Sequence, residues 1–317
     1  MTTRIIKDAG LPGTLFEWDD PLYEGPVPED ASDEALVRIR AQYLADGVRW
    51  SIDDVVAGLT RPRTAIDDAG AYDELALWYE HDLFDQLNLI QLLTWIGRSG
   101  PTQRPVSLIC IGSFPGRPDF KGLGELSPSE LASLFDTRQP VDNAQYKLAR
   151  QAWQAFRSSD PRALEELLPR DTSALPFLAP ALWRYLEEFP WTTDGLSKSE
   201  RRLLQLAHSG SIDLRDAFPR MQDGETAFYV TDGLLDQMAQ ELSSTSPPLL
   251  NADFTPSERR DTLQGSVSLA DDGRAVLAGT QDRVRMCGID RWLGGVHLQA
   301  STNVWRWDAT NKKLRKD

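Results

Sequence analysis

A histidine between two acids, Glu80-His81-Asp82, directly follows the β-like run at residues 74–79. A histidine so placed can act as a general base whose tautomer is fixed by one carboxylate, or can join the carboxylates as a metal ligand. His81 and Glu80 are therefore the candidate catalytic residues. A structural role fits the same residues, because Asp82 can cap the following helix and an acid in its first turn favours the helix dipole.

Polar and glycine residues also follow two other β-like runs, at 14–18 and 106–111. In open α/β sheets, ligands bind outside the carboxyl ends of the strands. We therefore expect the polar groups behind all three runs to converge on one pocket. The predicted ligand-binding residues at this edge are Asp20, Glu24, Gly25, Asp82, Gly112 and Ser113. Arg40, on the next predicted helix, can reach an anionic ligand, but a surface ion pair with nearby carboxylates is the favoured alternative.

The elements that must position these residues alternate between strands and helices, which is typical of a parallel α/β sheet. The runs at 14–18, 74–79 and 106–111 are the predicted parallel strands, and a helix is expected after the second of them. Capping-box sequences at 127–130, 197–200 and 255–258 mark further helix starts. The fold class is therefore predicted to be α/β, with a Rossmann-like domain over residues 1–140.

Beyond residue 140 the patterns favour a helical linker region at 141–195 and a winged-helix module at 196–310. Three predicted helices, at 198–207, 214–221 and 232–242, are followed by β-like runs, which is the order of a winged helix. A last hairpin is expected to join 296–299 to 304–307 through a turn at Thr302-Asn303. Residues 311–317 are predicted to be a frayed basic tail.

Composition and charge narrow the possible functions. The 317 residues are 41% hydrophobic and 26% charged, as in a folded protein, and the net charge is -14. Residues 1–195 carry a net charge of -13 and residues 196–317 a net charge of -1. The predicted third helix of the module, 232–242, has three acids and no lysine or arginine. Nucleic acid is therefore disfavoured as a partner, and a protein partner is favoured for this module.

Several classes of enzyme are excluded because their characteristic motifs are missing. The sequence has no P-loop, no Gly-x-Ser-x-Gly elbow and no His-Glu-x-x-His pair. The Gly122-x-Gly124 segment is interpreted as a turn rather than a dinucleotide loop. No stretch is long and apolar enough for a signal peptide or a membrane span, so a cytoplasmic protein without membrane contact is expected.

Five segments with fixed spacing resemble a bacterial family, domain of unknown function 1835. They are WDDPLYEGPVP (18–28), LWYEHDLFDQ (77–86), GLGELSP (122–128), GLS (195–197) and RWLGGVHL (291–298). The resemblance runs from about residue 10 to residue 308 and implies an architecture but no activity. Family members usually open with an additional strand, to which nothing here corresponds, so we expect the natural start to lie upstream of Met1.

Two functions from different classes follow from these patterns. The leading hypothesis is a cytoplasmic binding or regulatory protein that responds to a small polar or cationic molecule or to a divalent metal. The alternative is an acid/base or metal-dependent enzyme acting on a small substrate, with His81 as base and Glu80 or Asp20 orienting it. A DNA-binding regulator ranks third because of the charge distribution, and no particular cofactor is indicated.

Overall fold

The structure is a computed structural model that describes residues 2–46, 51–68, 72–99, 104–253 and 264–317. It has a mixed α/β architecture with small sheets. Its helices are α1 (Thr2–Asp8), α2 (Asp33–Ala45), α3 (Ile52–Asp67), α4 (Leu83–Ile96), α5 (Pro128–Leu134), α6 (Asn143–Arg157), α7 (Arg162–Leu167), α8 (Leu178–Leu186), α9 (Lys198–Leu206), α10 (Leu214–Met221), α11 (Asp232–Ser244), α12 (Asp271–Leu277) and α13 (Arg283–Cys287). Its strands are β1 (Gly25–Pro26), β2 (Leu75–Glu80), β3 (Val106–Ile111), β4 (Gln139–Pro140), β5 (Ile212–Asp213), β6 (Leu250–Asp253), β7 (Ser266–Leu269), β8 (Ile289–Gly294), β9 (Val296–Ala300), β10 (Trp305–Asp308) and β11 (Lys313–Lys316).

The sheet that carries the Glu80-His81-Asp82 segment has the strand order β2-β3-β4. Strands β2 and β3 are parallel and in register from Leu75 opposite Val106 to Glu80 opposite Ile111, and β4 is antiparallel to β3. The carboxyl ends of β2 and β3 therefore lie at one edge. This confirms two of the three predicted parallel strands.

The third predicted strand, 14–18, is wrong, since these residues have no regular secondary structure. Side-chain contacts, rather than backbone hydrogen bonds to a neighbouring strand, hold this segment in place. The Trp18 indole donates a hydrogen bond to Oε1 of Gln91 on α4 at 2.8 Å. The guanidinium of Arg63 on α3 lies 4.3 Å from the Trp18 ring centroid. The alternating apolar residues thus pack against helices. An irregular segment that covers helices can show the same alternation as a strand.

Helix α4 is the central helix of the N-terminal part. Most of its side chains are buried, including Leu87, Ile90 and Leu93, each fully inaccessible. The Asp82 side chain caps its start by accepting a hydrogen bond from the Asp85 backbone N–H at 2.9 Å. Because β2 leads directly into this cap, the position of the Glu80-His81-Asp82 segment is fixed from both sides.

Capping boxes set the starts of α5 and α9 as the sequence predicts. At Ser127 and at Ser197 the serine accepts from the backbone of the glutamate three residues on, and that glutamate accepts from the serine backbone. The third predicted box, 255–258, lies outside the described residues.

The C-terminal part begins with α9, β5, α10, α11, β6 and β7, and the strands of this portion form an antiparallel sheet in the order β5-β7-β6. The predicted pairing of 296–299 with 304–307 is wrong. Strand β9 pairs with β8, and β10 pairs with β11. Which strands pair is a non-local property, so the alternation of residues could locate the strands without identifying their partners.

The frayed basic tail predicted for 311–317 is also wrong, because Lys313–Lys316 forms β11. Leu314 is 6% exposed and packs in the core, and Asp317 forms an ion pair with the buried Arg306 at 3.3 Å. One apolar side chain and one carboxylate therefore anchor an otherwise basic segment.

One continuous hydrophobic core extends from Leu22 to Leu314, and a smaller cluster around Leu123 and Leu131 lies beside α1 and α5. Strand β1 pairs in parallel with β8, which joins the start of the chain to its last third. The predicted boundaries at 140, 195 and 310 remain predictions. In the part of the chain that the structure describes, no helix has the length and apolar character needed to cross a membrane.

Candidate functional site

Glu80 ends β2, and its carboxylate is held by a backbone loop. The Leu123 N–H donates to Oε1 of Glu80 at 2.6 Å. A Cβ atom at Gly122 would lie 2.1 Å from Oε2, so a side chain at this position would displace the carboxylate. Burial, with a smaller contribution from the charge of Asp82, raises the pKa of Glu80 to about 7. The Gly122-x-Gly124 turn thus binds a carboxylate of the protein itself.

Two further carboxylates lie beside Glu80. Asp85 accepts a short hydrogen bond from the Glu80 backbone N–H, while Asp82 caps α4. Burial raises the pKa of Asp82 to about 6. Burial, followed by repulsion from Asp82 and Glu80, raises the pKa of Asp85. The three acids therefore act as helix caps and loop anchors, and their mutual repulsion favours protonation of part of the group.

His81 is buried, with 9% of its surface exposed. Its ring lies between Phe177 and Tyr229, with both ring centroids at 6.1 Å. Its Nε2 is 3.4 Å from the Tyr229 hydroxyl, and its Nδ1 makes no hydrogen bond of good geometry. Burial lowers the pKa of His81, although an interaction with the Ile111 backbone opposes the shift. Burial thus favours the neutral imidazole, whose Nε2 faces the Tyr229 hydroxyl.

Gly112 and Ser113 follow β3 at the same edge of the sheet. A Cβ atom at Gly112 would lie 2.7 Å from the Phe177 ring and 3.1 Å from the Cβ of His81, so this glycine allows the aromatic ring to cover the histidine. Ser113 is exposed. Of the predicted residues, Glu80, His81, Asp82 and Gly112 are thus brought together at the end of β2 and β3.

Asp20 and Arg40 form a buried ion pair of their own. Their side chains are 2% and 1% exposed, with Nη2 of Arg40 2.7 Å from Oδ1 of Asp20. Arg40 also donates to the carbonyl oxygens of Glu24 at 2.7 Å and Pro21 at 3.1 Å. The favoured alternative for Arg40, a surface ion pair, is therefore wrong in its location, because the pair is internal and holds the loop 20–25 against α2.

The described residues around His81 include no ion pair or hydrogen bond from Asp20. Instead the Asp20 carbonyl accepts from the Asn88 side chain at 2.8 Å. The expected meeting of all strand-end groups in one pocket depended on a strand at 14–18, and this strand is absent. The loop that contains Asp20 packs on α4 instead.

That loop borders a cavity of about 180 Å³. Two predicted ligand-binding residues, Glu24 and Gly25, line it. Gly25 has a φ of +72°, and a Cβ atom there would lie 2.6 Å from the Tyr43 ring. The other lining residues come from the loop 20–25, α2, the segment between α8 and α9, α9, the segment before α11, α11 and β8: Tyr23, Tyr43, Glu188, Ser197, Glu200, Phe228, Leu234, Gln237, Met238, Glu241, Asp290, Arg291, Trp292 and Leu293.

Carboxylates dominate the polar lining of the cavity. Among the described residues, five acids and one arginine, Arg291, line it. Arg291 lies 2.7 Å from Glu200 and 3.1 Å from Glu241. Although Glu200 is buried, Arg291 and Arg283 lower its pKa to about 2, so that it stays ionised. The arginine of this described lining is therefore already engaged by two of the carboxylates.

Sequence reasoning missed most of this cavity because its residues come from distant parts of the chain. Two features of the sequence could have pointed to the cavity. The acids of 232–242 were interpreted only as unfavourable for DNA binding, and the segment 291–298 was used only for the family resemblance. Among the described residues no group of three or more histidine, cysteine or acidic side chains is placed to hold a metal ion.

The chain was compared with family models, with curated proteins and with solved structures, and none of the three comparisons found a match. The resemblance to domain of unknown function 1835 therefore remains a prediction.

Proposed function

We propose that this protein is a binding and regulatory protein that responds to a small molecule. The observation that carries the proposal is the cavity of about 180 Å³ between the loop 20–25, α11 and β8. Ligand pockets are concave, mostly apolar and contain a few convergent polar groups, as this cavity does. The site differs from the sequence-based one in that Glu24 and Gly25 belong to it, whereas His81 does not line it.

We further propose that the winged-helix module expected over residues 196–310 is built around α9, β5, α10, α11, β6 and β7. Its support is the order helix, strand, helix, helix, strand, strand with the sheet order β5-β7-β6. Helix α11 takes the place of the third helix and also lines the cavity. A ligand in the cavity contacts the helix that such modules use for their partners. The three acids of α11, without lysine or arginine, favour a protein partner over nucleic acid.

The proposal is tested by filling the cavity. Leu234→Trp places an indole in it from α11, whereas Ser244→Trp adds the same side chain at an exposed position of that helix. Both variants and the wild type are screened by thermal shift against small amines, amino acids, nucleosides and carboxylic acids. We expect at least one probe to raise the melting temperature of the wild type and of Ser244→Trp, but not of Leu234→Trp. The proposal is rejected if no probe acts, or if the filled variant responds equally.

An acid/base enzyme is the second candidate, and the raised pKa of Glu80, about 7, favours it. Groups with a pKa near the working pH make efficient proton donors and acceptors. In this candidate, Glu80 transfers the proton and His81 lies beside it. Turnover of chromogenic esters and phosphoesters by the wild type, lost in Glu80→Gln and in His81→Ala but kept in Glu166→Gln, would support it. Equal turnover in all four proteins would eliminate it.

A further inference from the structure

We propose that the ligand of the cavity is a small, uncharged and mostly apolar molecule with one aromatic ring, about the size of benzyl alcohol. This inference rests on the proposed function, since it assigns a ligand class to the same cavity. Three features carry it: the charged lining groups are already engaged within the protein, the side chains between them are apolar, and the volume suits one substituted ring.

The first feature concerns the charged groups of the described lining. Arg291 lies 2.7 Å from Glu200 and 3.1 Å from Glu241. Glu188 lies 2.6 Å from Arg184, a buried arginine that is not part of the lining. Each of these groups therefore has a counter-charge within the protein before a ligand arrives.

The two remaining acids of the lining are engaged as well. One oxygen of Asp290 lies 2.7 Å from Nε2 of His297, and the other accepts a hydrogen bond from the Gln299 side chain at 3.1 Å. Glu24 is likewise not without a partner. A charged ligand would have to leave water and compete for counter-charges that are already engaged, which is unfavourable. An uncharged ligand avoids this loss.

The uncharged polar groups of the lining are used in the same way. Oγ of Ser197 accepts a hydrogen bond from the Glu200 backbone N–H at 3.1 Å. The Gln237 side chain donates to Oε1 of Glu241 at 2.7 Å. A sugar, or another ligand rich in hydroxyl groups, would have to compete with these internal hydrogen bonds. The lining therefore favours a ligand with few polar groups.

The second feature is the apolar part of the lining. Leu234 and Met238 belong to it from α11, Leu293 from β8, and Phe228 from the segment before α11. Met238, Leu293 and Phe228 are each at most 6% exposed. Transfer of an apolar ligand from water onto such side chains is favourable in proportion to the area that is buried. A thioether such as that of Met238 also makes favourable contacts with the edge of an aromatic ring.

The aromatic side chains of the lining are held in position by other residues. Trp292 stacks on His297 with the ring centroids 4.4 Å apart, and the Arg184 guanidinium lies 5.1 Å from the Phe228 ring centroid. Aromatic rings also attract one another through edge-to-face contacts, which do not need the faces taken by His297 and Arg184. A ligand with a ring of its own can therefore pack against this wall.

The third feature is the volume of the cavity, about 180 Å³. An apolar cavity of ~150 Å³ in an engineered protein holds benzene. A single ring with one small substituent therefore fits the cavity.

Calorimetric titration of the intact protein near neutral pH tests the inference with three probes of similar shape. Benzyl alcohol is the uncharged probe, benzylammonium is the cation and benzoate is the anion. We expect the alcohol to bind at least about tenfold more tightly than either ion, because only the ions must lose the hydration of a charge. Benzyl alcohol also joins the thermal-shift screen, where Leu234→Trp should abolish its effect and Ser244→Trp should keep it.

Two variants test whether the engaged charges set this preference. Arg291→Gln releases Glu200 and Glu241 from their guanidinium, so benzylammonium is expected to bind about tenfold more tightly than it binds the wild type. Glu241→Gln releases one side of Arg291, so benzoate is expected to gain about tenfold in affinity. Benzyl alcohol should bind both variants as it binds the wild type.

A matched control and a second variant keep the test decisive. Glu166→Gln, at an exposed glutamate that does not line the cavity, should bind all three probes as the wild type does. Melting temperatures establish that each variant is folded. Glu241→Gln, at a side chain that is 41% exposed, serves if Arg291→Gln does not fold.

The outcomes separate this inference from the proposed function. Binding of either ion that equals or exceeds that of the alcohol, and that Leu234→Trp abolishes, overturns the uncharged class and leaves the cavity a ligand site. Ion binding that neither Arg291→Gln nor Glu241→Gln strengthens also overturns it. Binding of the alcohol that Leu234→Trp leaves intact lies outside the cavity and overturns it as well. Failure of every probe of the thermal-shift screen and of the titration overturns both.

Discussion

At the scale of single residues, the side chains that were expected to share one pocket lie at two separate places. Glu80 and His81 lie among helix caps and aromatic rings, and the Glu80 carboxylate is held by the Leu123 N–H. Glu24 and Gly25 line a cavity instead. The residues expected to share a single pocket therefore lie in two places, one at the end of β2 and one at the cavity.

The contact between Gly122 and Glu80 makes a prediction about stability. Gly122→Ala places a Cβ atom on the Glu80 carboxylate, which must leave its hydrogen bond and remain partly buried. We expect a loss of about 1–3 kcal/mol in the free energy of unfolding. Gly58→Ala is the control, since a Cβ atom at this position of α3 meets nothing within 4 Å and should add about 0.5–1 kcal/mol. Urea unfolding measures both, and equal effects would contradict the close contact.

Glu80 also predicts how stability depends on pH. Its pKa is raised to about 7, mainly by burial, and an unfolded glutamate titrates near ~4.3. Between these values the folded protein keeps a proton that the unfolded chain loses, so the free energy of unfolding falls as the pH rises. We expect Glu80→Gln to reduce this fall by about 1–3 kcal/mol. Urea unfolding near pH ~5 and ~8 tests this. An unchanged slope would show that Glu80 is not the group, and Glu166→Gln should keep the wild-type slope.

At the scale of elements, those that depend on a few neighbouring residues could be predicted, whereas those that depend on distant contacts could not. The starts of α5 and α9 could be predicted because a capping box spans only four residues. Strands β2 and β3 could be located from short apolar runs. The segment 14–18 could not, because Trp18 obtains its partners Gln91 and Arg63 from helices far along the chain. No local pattern distinguishes such a cover from a strand.

The loop 20–25 and helix α2 are joined by the Asp20–Arg40 pair, and this predicts a strong coupling. Each single substitution, Asp20→Asn or Arg40→Met, leaves a group buried without its partner and should cost about 3–5 kcal/mol. The double variant should cost less than the sum of the two, because no unpaired charge remains. Urea unfolding of the four proteins gives the coupling energy. Additive effects would mean that the two side chains do not depend on each other.

At the scale of the whole molecule, the cavity could not be derived from sequence because it is a product of long-range assembly. Tyr43 and Trp292 reach it from elements separated by more than half the chain. The pairing of β1 with β8 brings them together, and two-residue strands such as β1 leave almost no pattern to detect. Charge was the exception, since the excess of acids visible in the composition reappears in the cavity wall.

The continuous core predicts how the molecule unfolds. Since one cluster of buried residues runs from Leu22 to Leu314 and β1 pairs with β8, we expect a single calorimetric transition rather than separate ones for the predicted domains. Leu298→Ala, in a strand of the last third, should cost about 2–5 kcal/mol and move the whole transition to lower temperature. Gln299→Ala, at the exposed neighbouring position, should leave it in place. If the Leu298 variant instead splits the transition, with one part unchanged, the N-terminal part must fold independently of β8 and the cavity must form at the junction of two separate units.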